Sequence, residues 1–216
     1  NIYIQKGNNY MKVIAINGSP RKDGNTYSAL RTACEMLNEQ GIETEIVNVG
    51  SMSITGCKAC GGCAGKGKCV INDGFNEIAD KVAEADGIIV ASPVYYAGIN
   101  GTLKCFLDRF FYVHSAEMRF KPAAAITALR RSGVTHTYQT IYNFFTFAEM
   151  LITPTNYWPG VHGTAKGEAE QDAEGMQTMR TLGINMAWLL KCIEAGKVAG
   201  IAMPEREAKV ATNFIR

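Results

Sequence analysis

Short apolar runs alternate with amphipathic helical patterns along most of the chain, and this alternation constrains the fold more than any other feature. Strands of a parallel sheet are buried on both faces, so they read as continuous apolar runs separated by crossover helices. The apolar runs predict five strands, at 12–17, 43–49, 87–91, 122–129 and 151–153. The helical periodicity predicts five helices, at 25–40, 74–84, 102–115, 137–149 and 173–195. Together these elements predict an α/β fold, a doubly wound three-layer sandwich around a five-stranded parallel sheet of order 2-1-3-4-5.

The 216 residues predict one domain, because no linker, repeat or low-complexity stretch interrupts the alternation. We place this domain at 12–200, after a leader at 1–11 that we expect to be disordered and before a tail at 201–216. A net charge of +2 without a basic run argues against a nucleic-acid partner or an anionic membrane surface. No secretory signal precedes the first strand, and the longest apolar stretch, 141–152, is too short to span a bilayer. We therefore expect a cytoplasmic protein.

Four of the seven cysteines fall in a loop at 56–70 that contains no predicted helix or strand. Their spacing is C-x2-C-x2-C-x5-C, formed by Cys57, Cys60, Cys63 and Cys69. Thiolates prefer soft metals, so this group predicts a zinc site or an iron–sulfur cluster. Structural zinc usually takes two C-x2-C pairs about a dozen residues or more apart, whereas an unbroken triplet favours a cluster. Bound zinc and empty thiols remain the alternatives.

The turn between the first strand and the first helix, at 17–26, has the composition of an anion site. A glycine-bearing turn before a helix leaves free backbone N–H groups at the positive end of the helix dipole. Donor side chains are available from Ser19, Arg21, Asn25 and Thr26. Neither a Walker A pattern nor G-x-G-x-x-G is present, so the turn is suited to holding a phosphate monoester. The alternative is an ordinary helix start with Asn25 or Thr26 as N-cap.

A second loop, at 92–101, follows the third strand and reads Ser-Pro-Val-Tyr-Tyr-Ala-Gly-Ile-Asn-Gly. In the predicted strand order the first and third strands are neighbours at the topological switch point, where ligands bind beyond the carboxyl ends. The phosphate turn and this aromatic loop should therefore line one crevice, which would suit a mononucleotide with a flat ring, such as FMN. The alternative for Tyr95 and Tyr96 is packing within the loop.

Three segments together, GSPRKDGNT, GCKACGGCAGKGKCVIND and SPVYYAGINGTLKCFLDR, resemble the NADPH-dependent FMN reductase family of flavodoxin-like proteins. Within that family the cysteine pattern resembles the iron–sulfur flavoproteins, whose C-x2-C-x2-C-x5-C loop holds a [4Fe-4S] cluster. The resemblance extends over roughly residues 12–195. It implies a flavodoxin-like fold, a cluster at the four cysteines and NADPH as an electron donor. It also implies a homodimer or a dimer of dimers with the flavin near a subunit interface.

The resemblance further implies which residues contact the flavin. Those implied at the FMN phosphate are Ser19, Arg21, Asn25 and Thr26. Those implied at the ring are Pro93, Val94, Tyr95, Tyr96 and Gly98. Those implied near the polar edge of the flavin, after the fourth strand, are Arg130, Arg131 and Gly133. For this last group a solvated turn is the alternative.

These observations predict an FMN-dependent oxidoreductase that passes electrons between FMN and a [4Fe-4S] cluster. One alternative is a cluster-free NAD(P)H-dependent FMN or quinone reductase, and another is a non-enzymatic FMN carrier with structural zinc. We expect no protein nucleophile, because FMN brings its own redox chemistry. The cluster loop follows the second strand and is expected at the carboxyl end of the sheet. Its lysines, Lys58, Lys66 and Lys68, would dock an acidic ferredoxin or would simply be solvated.

Overall fold

The structure, a computed structural model, describes residues 11–208 and 210–212 and confirms the alternation of strands and helices. The strands in this part of the chain are β1 Lys12–Asn17, β2 Glu43–Asn48, β3 Gly87–Pro93, β4 Pro122–Leu129, β5 Leu151–Ile152 and β6 Gly160–His162. The helices are α1 Asn25–Glu39, α2 Phe75–Glu84, α3 Gly101–His114, α4 Val134–Phe147 and α5 Ala173–Val198, with a 3₁₀ turn at Glu168–Gln171. The predicted bounds are close to these, although α4 begins before residue 137 and α5 continues past residue 195.

The sheet is parallel and has the order β2-β1-β3-β4-β5, which confirms the predicted order. β5 pairs with Pro122 and Ala123 at the start of β4, whereas β6 pairs with Thr127–Leu129 at its end. Two short strands in tandem therefore occupy the fifth position of the sheet. The predicted count of five strands omitted β6, because a three-residue strand between Pro159 and Gly163 leaves no apolar run to detect.

Alternate side chains of β1 enter two separate hydrophobic cores, one on each face of the sheet. Ile14 and Ile16 lie in the core covered by α2, α3 and α4, while Val13 and Ala15 lie in the core covered by α1 and α5. All four side chains are fully buried. Successive strand residues point to opposite faces, so a sheet with helices on both sides needs apolar residues at every position. This arrangement is the predicted three-layer sandwich.

The segments at the two ends of the chain lie outside these layers. Of the predicted leader, residues 1–10 lie outside the described residues. Residues 201–208 are exposed and have neither helix nor strand, and several contacts attach them to the domain, among them a bond from the N–H of Ile201 to the carbonyl of Gly196 at 2.9 Å. Arg206 pairs with Glu149 at 2.6 Å, and Arg119 donates to the carbonyl of Pro204 at 2.9 Å. The division into leader, domain and tail stays a prediction.

In the part of the chain that the structure describes, no helix is both long enough and apolar enough to cross a membrane.

Candidate functional site

The turn between β1 and α1 lies directly against the carboxyl end of β3. The N–H of Gly18 donates to the carbonyl of Ala91 at 2.8 Å. A Cβ atom on Gly18 would lie 2.5 Å from Cδ2 of Leu103 and 2.7 Å from the Ala91 carbonyl oxygen. Neither distance is sterically allowed, so this close approach requires glycine. The predicted phosphate turn and the loop after β3 therefore meet at the switch point of the sheet.

Helix α1 begins without a side-chain cap. Its N-cap is Gly24, which has an extended backbone and offers no side-chain acceptor. The alternative in which Asn25 or Thr26 caps the helix is therefore not observed. The first N–H groups of an uncapped helix, together with the helix dipole, attract anions.

The residues predicted at the phosphate occupy different environments around this helix start. Ser19 is buried, and its Oγ accepts a hydrogen bond from the N–H of Arg21 at 3.1 Å. Thr26 is also buried, whereas the side chain of Arg21 is exposed. Ser19 thus helps to shape the turn, Thr26 lies buried in the first turn of α1, and Arg21 supplies a positive charge at the surface.

Asn25 has a role that sequence analysis did not predict. Its Nδ2 donates to the carbonyl of Ala165 at 2.9 Å, and its Oδ1 accepts from the N–H groups of Gly167 at 3.1 Å and Ala169 at 3.3 Å. The side chain of Asn25 therefore ties the segment after β6 to the start of α1. An ion pair between Asp23 and Lys166 adds to this attachment. The proposed contact of Asn25 with phosphate remains a prediction.

The loop after β3 forms a tight two-residue turn with an aromatic ring at its tip. The N–H groups of Tyr95 and Gly98 each donate to the other's carbonyl at 2.9 Å. The two residues between them, Tyr96 and Ala97, have positive φ angles of 49° and 59°. This left-handed conformation costs about 1–2 kcal/mol for each non-glycine residue. Tyr96 is fully exposed, so packing within the loop does not explain its ring, whereas Tyr95 is about half exposed.

The loop after β4 packs against this turn. Gly133 has a φ of 98°, and a Cβ atom there would lie 2.8 Å from Cγ1 of Val94 and 3.0 Å from Cα of Ala97. Arg130 and Arg131 are exposed beside it. The three loops predicted to contact a flavin therefore lie along one edge of the sheet.

The four cysteines of the loop at 56–70 line a single pocket. Cys57 and Cys60 are exposed, and Cys63 and Cys69 are partly buried. Within the described ranges, no three metal-ligating side chains are close enough together to hold a metal ion. The loop therefore places the four thiols around one pocket without converging them on one point.

An ion pair between the buried Arg109 and the partly buried Asp73 supports the base of this loop. Nη1 of Arg109 donates to Oδ2 of Asp73 at 2.6 Å and to the carbonyl of Thr55 at 3.0 Å. Asp73 also accepts from the backbone N–H of Thr55 at 2.9 Å. Burial alone would raise the pKa of Asp73, but the hydrogen bonds from Arg109 and Thr55 outweigh it and hold that pKa below its ordinary value. Burial likewise opposes the charge of Arg109, and its interactions with Asp73 and then with Cys69 raise the pKa of the guanidinium.

The cysteine pocket lies part-way along α3 and away from the start of that helix. Arg109 and Tyr112 of α3 line the pocket together with the cysteines. Because an α-helix rises 1.5 Å per residue, Arg109 lies about 12 Å along the axis from the helix start at Gly101. This differs from the expectation that the cysteines lie at the carboxyl end of the sheet. The connection leaves that edge near Gly50, which packs on the carbonyl of Gly18, and continues beside α3.

Comparison with known proteins also points to a flavin-binding protein. The model of a family described as NADPH-dependent FMN reductase matches residues 11–165, which is well over half of the chain. The chain belongs to the NADPH-dependent FMN reductase family. This membership makes it an FMN-binding, flavodoxin-like, flavin-dependent oxidoreductase, and the resemblance seen in the sequence is confirmed.

Relatives of this FMN reductase family member include iron–sulfur flavoproteins from two archaea. One from Methanocaldococcus jannaschii is 39% identical over 192 residues, covering 85% of this chain and 100% of the relative. One from Methanosarcina thermophila is 33% identical over 191 residues, covering 87% of this chain and 99% of the relative. The iron–sulfur flavoprotein subgroup predicted from the cysteine pattern is thereby confirmed.

A crystal structure of RosB with bound 8-demethyl-8-formylriboflavin 5'-phosphate has a TM-score of 0.68 to this FMN reductase family member. The two share 18% identity, and the match covers 95% of this chain and 94% of RosB. At this identity the likeness supports the fold alone.

Sequence analysis assigned no role to the residues beneath the cysteine loop of this FMN reductase family member, although Asp73 and Arg109 end two of the segments that resemble the family. Asp73 and Arg109 are 36 positions apart, so no local pattern connects them. Asn76 binds the backbone N–H and carbonyl of Cys69, both at 2.9 Å, and was also missed. A further signal was the position of Arg109, a charge on the apolar face of α3 between Phe106 and Phe110.

Proposed function

We propose that the four cysteines hold a [4Fe-4S] cluster and that the protein passes electrons between this cluster and FMN. The observation that carries the proposal is that Cys57, Cys60, Cys63 and Cys69 line one pocket. FMN supplies two-electron chemistry and a cluster supplies one-electron chemistry, so a protein holding both would link the two kinds of reaction.

The crevice residues fit FMN by their chemistry. The uncapped start of α1 and the charge of Arg21 would hold the phosphate, with Ser19 shaping the turn and Thr26 buried in the first turn of the helix. The loop at 93–98 would lie against the ring, where Tyr96 projects from a strained turn. Arg130, Arg131 and Gly133 lie beside that loop and would approach the polar edge of the flavin.

The cysteine loop fits a cluster by its donors and by its freedom to close. Thiolates are the usual ligands of such clusters. Gly61, Gly65 and Gly67 all have positive φ angles, and a Cβ atom at any of them would meet nothing within 4 Å. The loop is therefore not sterically locked, and the four thiols would converge when they bind the cluster.

The second candidate is a cluster-free NAD(P)H-dependent FMN or quinone reductase. The observation in its favour is that the thiols in the described residues do not converge, with Cys57 and Cys60 exposed to solvent. In that case the crevice at the edge of the sheet would carry the whole activity.

Metal and sulfide analysis separates the two candidates. Anaerobic reconstitution of the wild-type protein should give about four irons and about four sulfides per chain, with FMN bound. Replacement of Cys63 or Cys69 with serine should lower the iron content and leave FMN in place. The matched control is Cys192→Ser, because Cys192 is an exposed cysteine on α5 outside the pocket. Full FMN without iron would favour the reductase, and stoichiometric zinc would favour a structural metal.

We also propose a homodimer, or a dimer of dimers, as the working assembly. Tyr157 and Trp158 are exposed, and Asn185 ties their segment to α5 through the carbonyl of Pro154 at 2.9 Å. Trp188 is exposed on the same helix, and exposed aromatic clusters are typical of protein interfaces. Sedimentation equilibrium tests this proposal, and a monomer at all concentrations would contradict it.

The electron donor and acceptor are proposals as well. NADPH is proposed as the donor because of the family, and an acidic ferredoxin as one acceptor because Lys58, Lys66 and Lys68 are exposed around the cysteines. Anaerobic mixing with NADPH, followed by absorption spectroscopy, tests the donor. An FMN spectrum that does not bleach would exclude NADPH.

A further inference from the structure

Arg109 is a buried charge beneath the cysteine pocket whose hydrogen bonding is incomplete. Its side chain is only 1% exposed. Nη1 donates to Asp73 and to the carbonyl of Thr55, and Nη2 donates to the carbonyl of Ile71 at 3.2 Å. Cζ of the guanidinium lies over the Phe75 ring, 4.1 Å from its centre. Each terminal nitrogen thus has at least one acceptor, and the Phe75 ring covers one face of the group.

The third nitrogen, Nε, is the one whose N–H group has no hydrogen-bond partner at all among the described residues. Leaving a buried donor unpaired costs about 1–3 kcal/mol, and native proteins rarely do so without a reason. Arg109 lines the same pocket as the four cysteines. An acceptor held in that pocket would therefore complete its hydrogen bonding.

Cys69 is the cysteine best placed to supply that acceptor. Asn76 holds its backbone on both sides, because the N–H of Cys69 donates to Oδ1 of Asn76 and Nδ2 of Asn76 donates to the carbonyl of Cys69, both at 2.9 Å. The sulfur of Cys69 and the guanidinium of Arg109 also interact electrostatically. A sulfur at Cys69 can accept from an N–H group, and it does so more strongly as a metal-bound thiolate.

We propose that Arg109 is a positioning residue that donates an Nε–H···S hydrogen bond to the Cys69 sulfur of the bound cluster and raises the reduction potential of that cluster. Reduction adds one negative charge to the cluster, so a nearby donor and cation stabilise the reduced form more than the oxidised form. Asp73 moderates this effect, because its carboxylate offsets the charge of Arg109. The inference rests on the proposed [4Fe-4S] cluster.

Two variants that both break the ion pair should shift the potential in opposite directions. Asp73→Asn keeps Arg109 and removes its counter-charge, so the potential rises. Arg109→Met combined with Asp73→Asn removes the cation and the donor, so the potential falls below that of the wild type. At one fixed potential, the ratio of reduced to oxidised cluster should differ at least tenfold between these variants, or about 59 mV for a one-electron couple. A redox titration monitored by electron paramagnetic resonance measures the reduction potential of the cluster in each variant.

A matched control breaks another arginine–carboxylate pair in the same chain. Arg119 binds Glu149 and does not line the cysteine pocket. The double variant Arg119→Met, Glu149→Gln should keep the potential of the wild type. A shift as large in this control as in the Arg109 variant would mean that any lost ion pair has this effect, and it would overturn the inference.

A measurement on the unaltered protein covers the case in which a variant loses its cluster. In wild-type protein labelled with [15N]arginine, pulsed electron paramagnetic resonance of the reduced cluster should detect a coupled 15N nucleus. Arg109 is the arginine among the residues that line the pocket, so the coupling would belong to it. Absence of the coupling, or equal potentials in the two Asp73 variants, would overturn the role of Arg109 while leaving the cluster in place. Absence of iron from the wild type would instead overturn the proposed cluster, and this inference with it.

Discussion

At the scale of single residues, the side chains that organise this protein are not always those that a motif marks. Asn25 lies in the phosphate motif, yet its carboxamide is bound to the backbone at 165–169. Asp73 and Arg109 end two of the segments that resemble the family but were assigned no role there, and they form the ion pair beneath the cysteines. Motif positions could be predicted because neighbours in sequence form them. Partners that are distant in sequence could not be predicted, because only the folded chain brings them together.

The Asp73–Arg109 pair makes a specific contribution to stability at neutral pH. Asp73→Asn leaves the buried Arg109 charge uncompensated and should lower the free energy of unfolding by about 3 kcal/mol at pH 7. Since the pKa of folded Asp73 is below its ordinary value, this contribution is complete above pH about 4 and is lost as the pH falls through the lowered pKa. The difference between wild type and variant should therefore narrow in acid. Urea unfolding of both proteins at several pH values measures this difference in stability.

The control for this prediction is Asp23→Asn, because Asp23 pairs with Lys166 on the surface. That change should leave the stability nearly unaltered. A difference between wild type and Asp73→Asn that stays constant or widens below pH about 3 would contradict the prediction.

Arg21 is expected to recognise the phosphate of FMN and nothing else of the ligand. Arg21→Ala should weaken FMN binding about tenfold, since a charge-assisted hydrogen bond contributes about 1.5 kcal/mol, and should leave riboflavin binding unchanged. Arg31→Ala is the matched control, because Arg31 is an exposed arginine of α1 that pairs with Glu170. Fluorescence titration with both flavins makes the comparison. Equal losses for FMN and riboflavin would show that the phosphate lies elsewhere.

At the scale of secondary-structure elements, long periodic segments were predictable and short ones were not. α1 and α5 follow from helical periodicity, and β3 and β4 from continuous apolar runs. β6 was missed because three residues carry no periodicity, and it forms only because β4 extends beyond β5 and leaves its end unpaired. The pairing partner, and not the local sequence, determines this strand.

The contact between α1 and α5 depends on one glycine. A Cβ atom on Gly183 would lie 2.4 Å from the carbonyl oxygen of Ala33 and 2.8 Å from Cβ of Met36. Gly183→Ala should therefore separate the helices and lower the free energy of unfolding by about 1–3 kcal/mol. Gly196→Ala is the control in the same helix, because a Cβ there would meet Ile201 only at 3.8 Å. It should raise the stability by up to about 1 kcal/mol, since alanine favours helix more than glycine does.

Urea unfolding of the two glycine variants tests this contact. Equal stability of Gly183→Ala and Gly196→Ala would contradict the claim that the contact between α1 and α5 requires glycine at position 183.

At the scale of the whole molecule, the strand order determines where the flavin crevice lies. Gly18 bonds to the end of β3, and Gly133 packs on the loop that follows β3, so three loops distant in sequence meet at one edge. This convergence could be predicted, because it follows from the order 2-1-3-4-5 alone. The path of the cysteine loop could not be predicted from the strand order, because it depends on the side chains of α3 against which the loop packs. Arg109 and Tyr112 place the cysteine pocket beside that helix.

The claim that FMN and the cluster exchange electrons is tested most directly by reducing the flavin alone. Illumination with EDTA under anaerobic conditions reduces bound FMN, and electron paramagnetic resonance then reports whether the cluster has been reduced. We predict the signal of a reduced cluster in FMN-loaded protein and no such signal in protein from which FMN has been removed. Fully bleached FMN beside a cluster that remains oxidised would contradict the account.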